Sequence, residues 1–472
     1  MILSDPNLSG FSLDSLPSLA EAAHGTLFCT KEEKITGFTL DSRTVRPGDC
    51  FLAIKGEHTD GHQYMERAWQ AGASLAIASR QPDAMPPAGN LLLTDDVTAA
   101  LGRIAHAHRM TLSPLTVAVT GSVGKTTTKQ MIASVFSADR PTLATAGNFN
   151  NELGLPLTLL SLRPEHRAAV LEMGMSARGE IEYLSLLAQP DIAVITCIGT
   201  AHMEALGSRE AIRDAKMEIT AGLKPGGTLI LNGDEPLLAG IDRAVYVSLT
   251  NPASDFRADH IRVRDGSSLF DLHTPSGTIR SLEVPVIGTH NVFDAALACA
   301  VGITAGIGEE TLRRGLLSFE NTGMRQRITT VGGITIIEDC YNACPESMTA
   351  SLRVLNNFGH KSGRLIAVLG DMRELGKTSP ELHREIGRIC VSQQIDLIFT
   401  FGKDAAQIAK GALDQGKDPQ EVFVNPDVNS PEKTADALLN ILKKGDTVLF
   451  KASRAVALER ISALLRQRLE NG

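Results

Sequence analysis

The stretch from Leu115 to Val135, LTVAVTGSVGKTTTKQMIASV, limits what this chain can fold into more than any other. Val117 to Thr120 are mostly apolar or β-branched and suit a buried strand. A turn bracketed by Gly121 and Gly124 follows, and Met131, Ile132 and Val135 then recur at helical spacing. Strand, glycine turn and helix in that order make a phosphate loop. The glycines let backbone N–H groups of Gly121, Ser122, Val123, Gly124, Lys125, Thr126 and Thr127 approach an anion with no Cβ in the way at the two tightest points. The helix directs its positive end at the same place. In such a loop Lys125 reaches the β- and γ-phosphates and the Thr126 hydroxyl sits on Mg²⁺. Val119 stands where the general pattern has its first glycine, so this loop is the shorter TGSVGKTT.

A chain of 472 residues has room for about three domains. Its formal charge of −8 gives no general attraction for nucleic acid or an anionic membrane, so local loops must hold any phosphate ligand. An aromatic content of 4% argues against a base-stacking surface. Seven scattered cysteines without a Cys-x-x-Cys motif read as reduced thiols of a cytosolic protein, and the Cys340/Cys344 spacing reads as packing rather than zinc. The start, MILSDPNLSGFSLDSL, lacks the basic and apolar parts of a signal peptide. Ala295 to Gly308, the longest weakly polar run, is short of the ~20 residues a membrane helix needs.

Three α/β units follow along the chain. In residues 1–112, short strands (Cys50 to Ile54, Ser74 to Ala78) flank a helical segment from Tyr64 to Ala71. Polar turns around Ser42, Arg43 and His62 read equally as a solvated loop or as a sugar-nucleotide site contacting a uridine diphosphate. Residues 113–321 alternate strands (Ala168 to Leu171, Ile192 to Cys197, Thr228 to Asn232) with helices (Gly179 to Ala188, Ser208 to Leu223), which implies a mostly parallel sheet covered by helices. Ligands of such sheets bind beyond the carboxyl ends of the strands. Glu172 and His202 follow two of these strands, taken here as neighbours, and suit a divalent ion. Asn148, Asn150 and Asn151, in GNFNNELGLPLTLL, present amides to a polar ligand, with Pro156 opening the next helix. Lys216, on its residues alone, reads as an exposed helix lysine among alternating charges. A β-rich patch from Ile261 to Val286 precedes His290 and Asn291 at a helix start, where an Asn amide could meet an adenine edge or simply cap the helix. Residues 322–472 form a second, Rossmann-like βα array whose first turn, GDMREL, is not a glycine-rich fingerprint.

Taken in order, DSRTVRPGDCFLAIKG, TGSVGKTT, LEMG, the histidine after CIGTA, AKMEI, GTHNV, GMR and DCYNACPESM resemble the Mur ligase family, ATP-dependent amide ligases of peptidoglycan synthesis. GNFNNELGLPLTLL, YNACPESM and LGDMRELG are similar to the member that adds a dipeptide. The resemblance implies three domains: one for a UDP-sugar, a central one for ATP, and a C-terminal one for the incoming dipeptide. Its expected partners are UDP-N-acetylmuramoyl-tripeptide and D-alanyl-D-alanine, in a cytoplasmic monomer. It implies two Mg²⁺ sites using Thr126, Glu172, His202 and Lys216, the last as a carbamate formed with CO₂. It places Asn291 on adenine, Arg325 on the ATP phosphates and Asp339 on the ribose. The catalytic set is then Lys125, Lys216, His202 and Arg325. Asn342, Ser347, Ser453 and Arg454, at strand ends, are expected to line the dipeptide pocket. Asp294, Cys344 and Ala452 depart from the family's usual asparagine, asparagine and glycine, and carry no expected contact. A member adding a different amino acid, or a nucleotide-binding regulatory protein that hydrolyses ATP slowly, are the alternatives.

Overall fold

The computed structural model describes residues 15–56, 58–82, 89–321, 323–359 and 363–471. The amino-terminal stretch read for a signal peptide falls largely outside them, as does residue 322, where the third unit was expected to start.

Three sheets organise the chain. The first has five short strands in the order Thr26–Phe28, Leu91–Leu93, Leu75–Ala78, Asp49–Leu52, Gly37–Thr39, all but the first pair parallel. The second has nine, and the phosphate-loop strand Leu115–Thr120 is third from one edge, flanked by Ala168–Glu172 on one side and Ile192–Ile195 on the other. These strands are buried on both faces and therefore read as unbroken apolar runs rather than alternating ones. The β-rich patch begins earlier than expected, at Phe256. It is an antiparallel meander, Phe256–Arg264, Ser267–Thr274 and Gly277–Val284, that extends the same sheet. The third sheet is a six-stranded array in which only the Arg327–Val331 edge strand is antiparallel.

Two expectations change in detail. Glu172 and His202 do not come from adjacent strands, because the phosphate-loop strand runs between Ala168–Glu172 and Ile192–Ile195. They therefore flank the loop instead of sitting side by side. The helix expected from Ser208 to Leu223 ends at Met217 and tightens into a 3₁₀ turn, Glu218–Thr220, whose last turn is pinned by the Ser185 hydroxyl donating to the Ile219 carbonyl (2.6 Å).

The units meet one another in two different ways. Helix Val97–Thr111 buries Leu101 and Ile104 in a single apolar core with Leu155, Leu159, Leu184 and Leu187 of the central unit, so the first two units are joined by packing. The buried apolar core of the third unit is its own, built on both faces of its sheet. Hydrogen bonds such as Thr200 N–H to Glu346 (2.9 Å) and Gln326 Nε2 to the Ile287 carbonyl (2.6 Å) link it to the central unit. Units joined by polar contacts move relative to one another far more readily than units sharing a core.

Candidate active site

The carboxyl ends of the central strands open into a cleft of about 690 Å³ whose opposite wall is the third unit. Gly121 (φ +152°) and Gly124 (φ +86°) shape the loop beneath it. A Cβ on Gly121 would stand 1.9 Å from Thr196 Oγ1, and one on Gly124 would stand 2.7 Å from Asp294 Oδ1, so both positions exclude a side chain. The turn is held from behind: Ser122 N–H donates to the Cys197 carbonyl (3.0 Å), and Gly199 N–H donates to Ser122 Oγ (2.8 Å). Helix Lys125–Ser137 has no side-chain cap, which leaves its first-turn N–H groups aimed at the cleft for an anion.

Lys125 donates from Nζ to the Gly121 carbonyl (2.7 Å), and burial lowers its pKa, partly offset by Glu172. A desolvated cation beside uncapped N–H groups is stabilised by an incoming polyanion. Glu172 is 2% exposed; its Oε1 accepts from Asn150 Nδ2 (2.8 Å), whereas its buried Oε2 has no hydrogen-bond partner among the described residues. A buried carboxylate oxygen left open in the cleft that Thr126 also lines is a fitting oxygen donor for a divalent cation. His202, at φ +67°, stands at the start of the short helix Met203–Leu206, with Nδ1 2.7 Å from Glu374 Oε2 of the third unit.

Lys216 is not the exposed residue that its charge pattern describes. It is 1% exposed, and burial, helped by the nearby Lys125, pushes its pKa well below the ordinary lysine value. It lies behind the cleft wall rather than on it, with no ion pair among the described residues. The neutral amine is the species that adds to CO₂, and burial favours that form of Lys216, so the residue fits a carbamate.

Of the other expected residues, Ser122, Val123, Gly124, Thr126, Thr127, Asn150, Asn151, Asn291, Arg325, Asp339, Asn342 and Ser347 line the same cleft. Arg325 lays its guanidinium over the Tyr341 ring, 4.2 Å from the centroid, which fixes a cation on the C-terminal wall. Both Nδ2 hydrogens of Asn291 are engaged, by the Ile287 carbonyl (2.8 Å) and Gln326 Oε1 (2.6 Å), so only its carbonyl oxygen is left for a ligand. Asp339 accepts from Lys451 Nζ (2.8 Å) and from the Ser351 hydroxyl.

Several residues lie elsewhere. Asn148 is exposed outside the cleft. Ser453 is buried with its hydroxyl accepting from Arg373 N–H (3.0 Å) and donating to the Ala343 carbonyl (3.3 Å), and Arg454 points outward to Glu459 (2.5 Å). Following a strand end was not enough to bring either into the cleft. Ser42 and Arg43 belong to the first unit, where Arg43 is held by Asp41 (2.6 Å).

Asp294 carried no expected contact, yet it lines the cleft, buried, with Oδ1 accepting from Thr128 (2.9 Å). Burial pushes its carboxyl up to about 8, against the opposing pull of Thr128 and Arg325. An unfolded aspartate ionises near pH 4. Between about pH 4 and pH 8 the folded chain therefore holds the extra proton, and this site costs more stability as pH rises through that window. Asp294→Asn keeps an acceptor for Thr128 and removes the titration. Its unfolding free energy, measured by denaturant titration, should exceed the parent's by a margin that widens from about pH 5 to about pH 8, reaching on the order of a few kcal/mol. A margin independent of pH would show that the carboxyl is not held neutral.

An anion-binding loop and an open carboxylate oxygen in a cleft walled by the third α/β unit, with a buried amine behind that wall, define a nucleotide-dependent synthetase or ligase. Comparison with known proteins narrows this. Residues 119–302 match the Mur ligase middle domain, residues 325–454 the Mur ligase glutamate ligase domain, and residues 34–109 the Mur ligase family catalytic domain. The chain is 40% identical over 454 residues to UDP-N-acetylmuramoyl-tripeptide–D-alanyl-D-alanine ligase of Bacillus subtilis, covering 95% of this chain and 97% of that one. The Escherichia coli ligase of the same name is 33% identical, with 92% and 94% covered. A crystal structure of MurF from Acinetobacter baumannii superposes with a TM-score of 0.86 at 32% identity (95% and 98% covered), and MurF of Thermotoga maritima in complex with ADP with 0.82 at 31% (92% and 98%). The chain belongs to the Mur ligase family and is an ATP-dependent amide ligase of three α/β domains.

Proposed function

We propose that the chain joins D-alanyl-D-alanine to UDP-N-acetylmuramoyl-tripeptide through an acyl phosphate, releasing ADP and phosphate, in the cytoplasmic synthesis of a peptidoglycan precursor. In this reading residues 1–112 hold the UDP-sugar with Ser42 and Arg43, residues 113–321 hold ATP, and residues 322–472 bring the dipeptide past Asn342 and Ser347. The observation that carries it is the loop at Lys125 opening toward the partnerless Glu172 Oε2 in a cleft shared with the third unit. Likeness to ligases named for that reaction supports the choice of substrates.

A carboxylate is a poor electrophile, because an attacking amine would have to expel an oxide. Phosphorylation makes the leaving group phosphate. Lys125 and Arg325, on opposite walls, offset the charge that gathers on the transferring phosphoryl oxygens. Two magnesium ions held by Thr126, Glu172, His202 and carbamylated Lys216 would supply further charge neutralisation. Asn291, through its carbonyl oxygen, and Asp339 hold the base and ribose ends of the nucleotide. The third unit excludes water from the activated carboxyl.

Omitting each substrate in turn from a phosphate-release assay tests the proposal. Release should require ATP, the tripeptide nucleotide and D-alanyl-D-alanine together. Release that needs no UDP-sugar peptide would favour a slow ATPase instead, and release with a different amine would identify another ligase of the family.

A further inference from the structure

The segment that carries His202 leaves the sheet at Ile195 and is gripped from the third unit by two carboxylates. Glu346 accepts from Thr200 N–H (2.9 Å) and from Thr200 Oγ1 (3.3 Å). Glu374 faces His202 Nδ1 through Oε2 (2.7 Å), and its backbone carbonyl accepts from Glu204 N–H (3.1 Å). Neighbouring Gly376, at φ +56°, lies against Glu204, where a Cβ would meet Cα at 3.3 Å. The Glu374 loop is itself braced: Met372 N–H donates to His383 Nε2 (3.0 Å), Arg373 N–H donates to Ser453 Oγ (3.0 Å), and the Arg373 guanidinium pairs with Asp371 (3.2 Å).

We propose that Glu374 is a positioning residue: docking of the third unit sets its carboxylate on Nδ1 of His202 and thereby commits the imidazole's other nitrogen, Nε2, to a metal in the cleft. The proposal rests on the reading of His202 as a magnesium residue. Adhesion is a poor explanation of the pair, since the Glu374 side chain is 59% exposed and exposed ion pairs add little to docking. Orientation is a better one. A neutral imidazole carries a single N–H; donated to a carboxylate at Nδ1, it leaves the lone pair on Nε2 and fixes the ring plane. His202 lines the cleft while Glu374 does not, so the carboxylate acts through the ring and not on the ligand. The metal site is then completed only when the third unit is docked, which couples metal binding to closure over the activated carboxyl.

Mn²⁺ binding to the full-length protein in the presence of ADP, followed by the loss of the free-ion electron paramagnetic resonance signal, separates the possibilities without any turnover. Glu374→Ala should weaken Mn²⁺ about tenfold, the low end of the loss seen when a partner behind a metal-bound histidine is removed. Glu374→Gln retains an acceptor for Nδ1–H and should stay close to the parent. Melting curves check folding, which an exposed side chain's truncation leaves intact. Parental affinity in Glu374→Ala, or equal weakening by Ala and Gln, overturns the proposal. Unchanged affinity in His202→Ala overturns instead the assignment of His202 to the metal, and the proposal with it.

Discussion

Lys216→Ala is expected to lower kcat by about 10²–10³-fold, the usual cost of removing one preorganised charge from a phosphoryl or acyl transfer site, and short carboxylic acids should restore part of it. The physical reason is the burial of Lys216. Its pKa lies well below the ordinary lysine value because it is desolvated and faces Lys125. A cation there would repel both Lys125 and a metal ion, whereas a carbamate turns the same side chain into an anion that attracts them. Truncating a carbamylated side chain would remove that anion, and a short carboxylic acid is small enough to take its place. Full activity in Lys216→Ala, with no response to added acids, would exclude a carbamate. Folding is not expected to suffer from charge loss, since an unpaired amine in an apolar setting is a cost to the native state.

Lys125→Met should fall by a similar factor, about 10²–10³ in kcat, while moving stability the other way. Burial depresses the Lys125 pKa, so the native state disfavours its charged form relative to the unfolded chain. Below the unfolded lysine pKa, which includes neutral pH, that depression is a stability cost, and an apolar side chain of similar length removes it. The expected signature is an inactive variant with a melting temperature equal to or above the parent's. Loss of activity accompanied by a clear drop in melting temperature would mean that Lys125 serves the fold and not the phosphates. In the parent the cost is offset when a polyanion binds, so ATP should raise the melting temperature of the parent more than that of Lys125→Met.

What could be read from residues alone was whatever local sequence determines. The phosphate loop was legible because a buried strand, two glycines with positive φ and a lysine at a helix start are consecutive. Glu172 was legible for a similar reason: it ends an apolar strand. The burial of Lys216 was not, because its helix carries a strongly polar sequence, and only the packing of Ile212, Ala215 and Ile219 turns that face inward. Pairs far apart in the chain were also invisible. Lys451 reaches Asp339 across 112 positions, and His202 meets Glu374 through GDMREL, a turn whose residues carry a family resemblance but no sign of which side chain they face. Lys451 carried a usable signal, since it ends a buried strand that runs parallel to and beside the strand Asp339 follows. Ser453 and Arg454 followed the same rule and did not enter the cleft, because one hydroxyl was taken by Arg373 and Ala343 and one guanidinium by Glu459.

The central claim is that the loop at Lys125 serves to phosphorylate a carboxyl group that then becomes an amide. Its most direct test uses UDP-N-acetylmuramoyl-tripeptide carrying ¹⁸O in the carboxyl that accepts the dipeptide, with ATP and D-alanyl-D-alanine. An acyl phosphate leaves its bridging oxygen on the phosphate, so mass spectrometry should find one ¹⁸O in each released phosphate and the other in the new amide. Unlabelled phosphate formed alongside the dipeptide product would contradict the account.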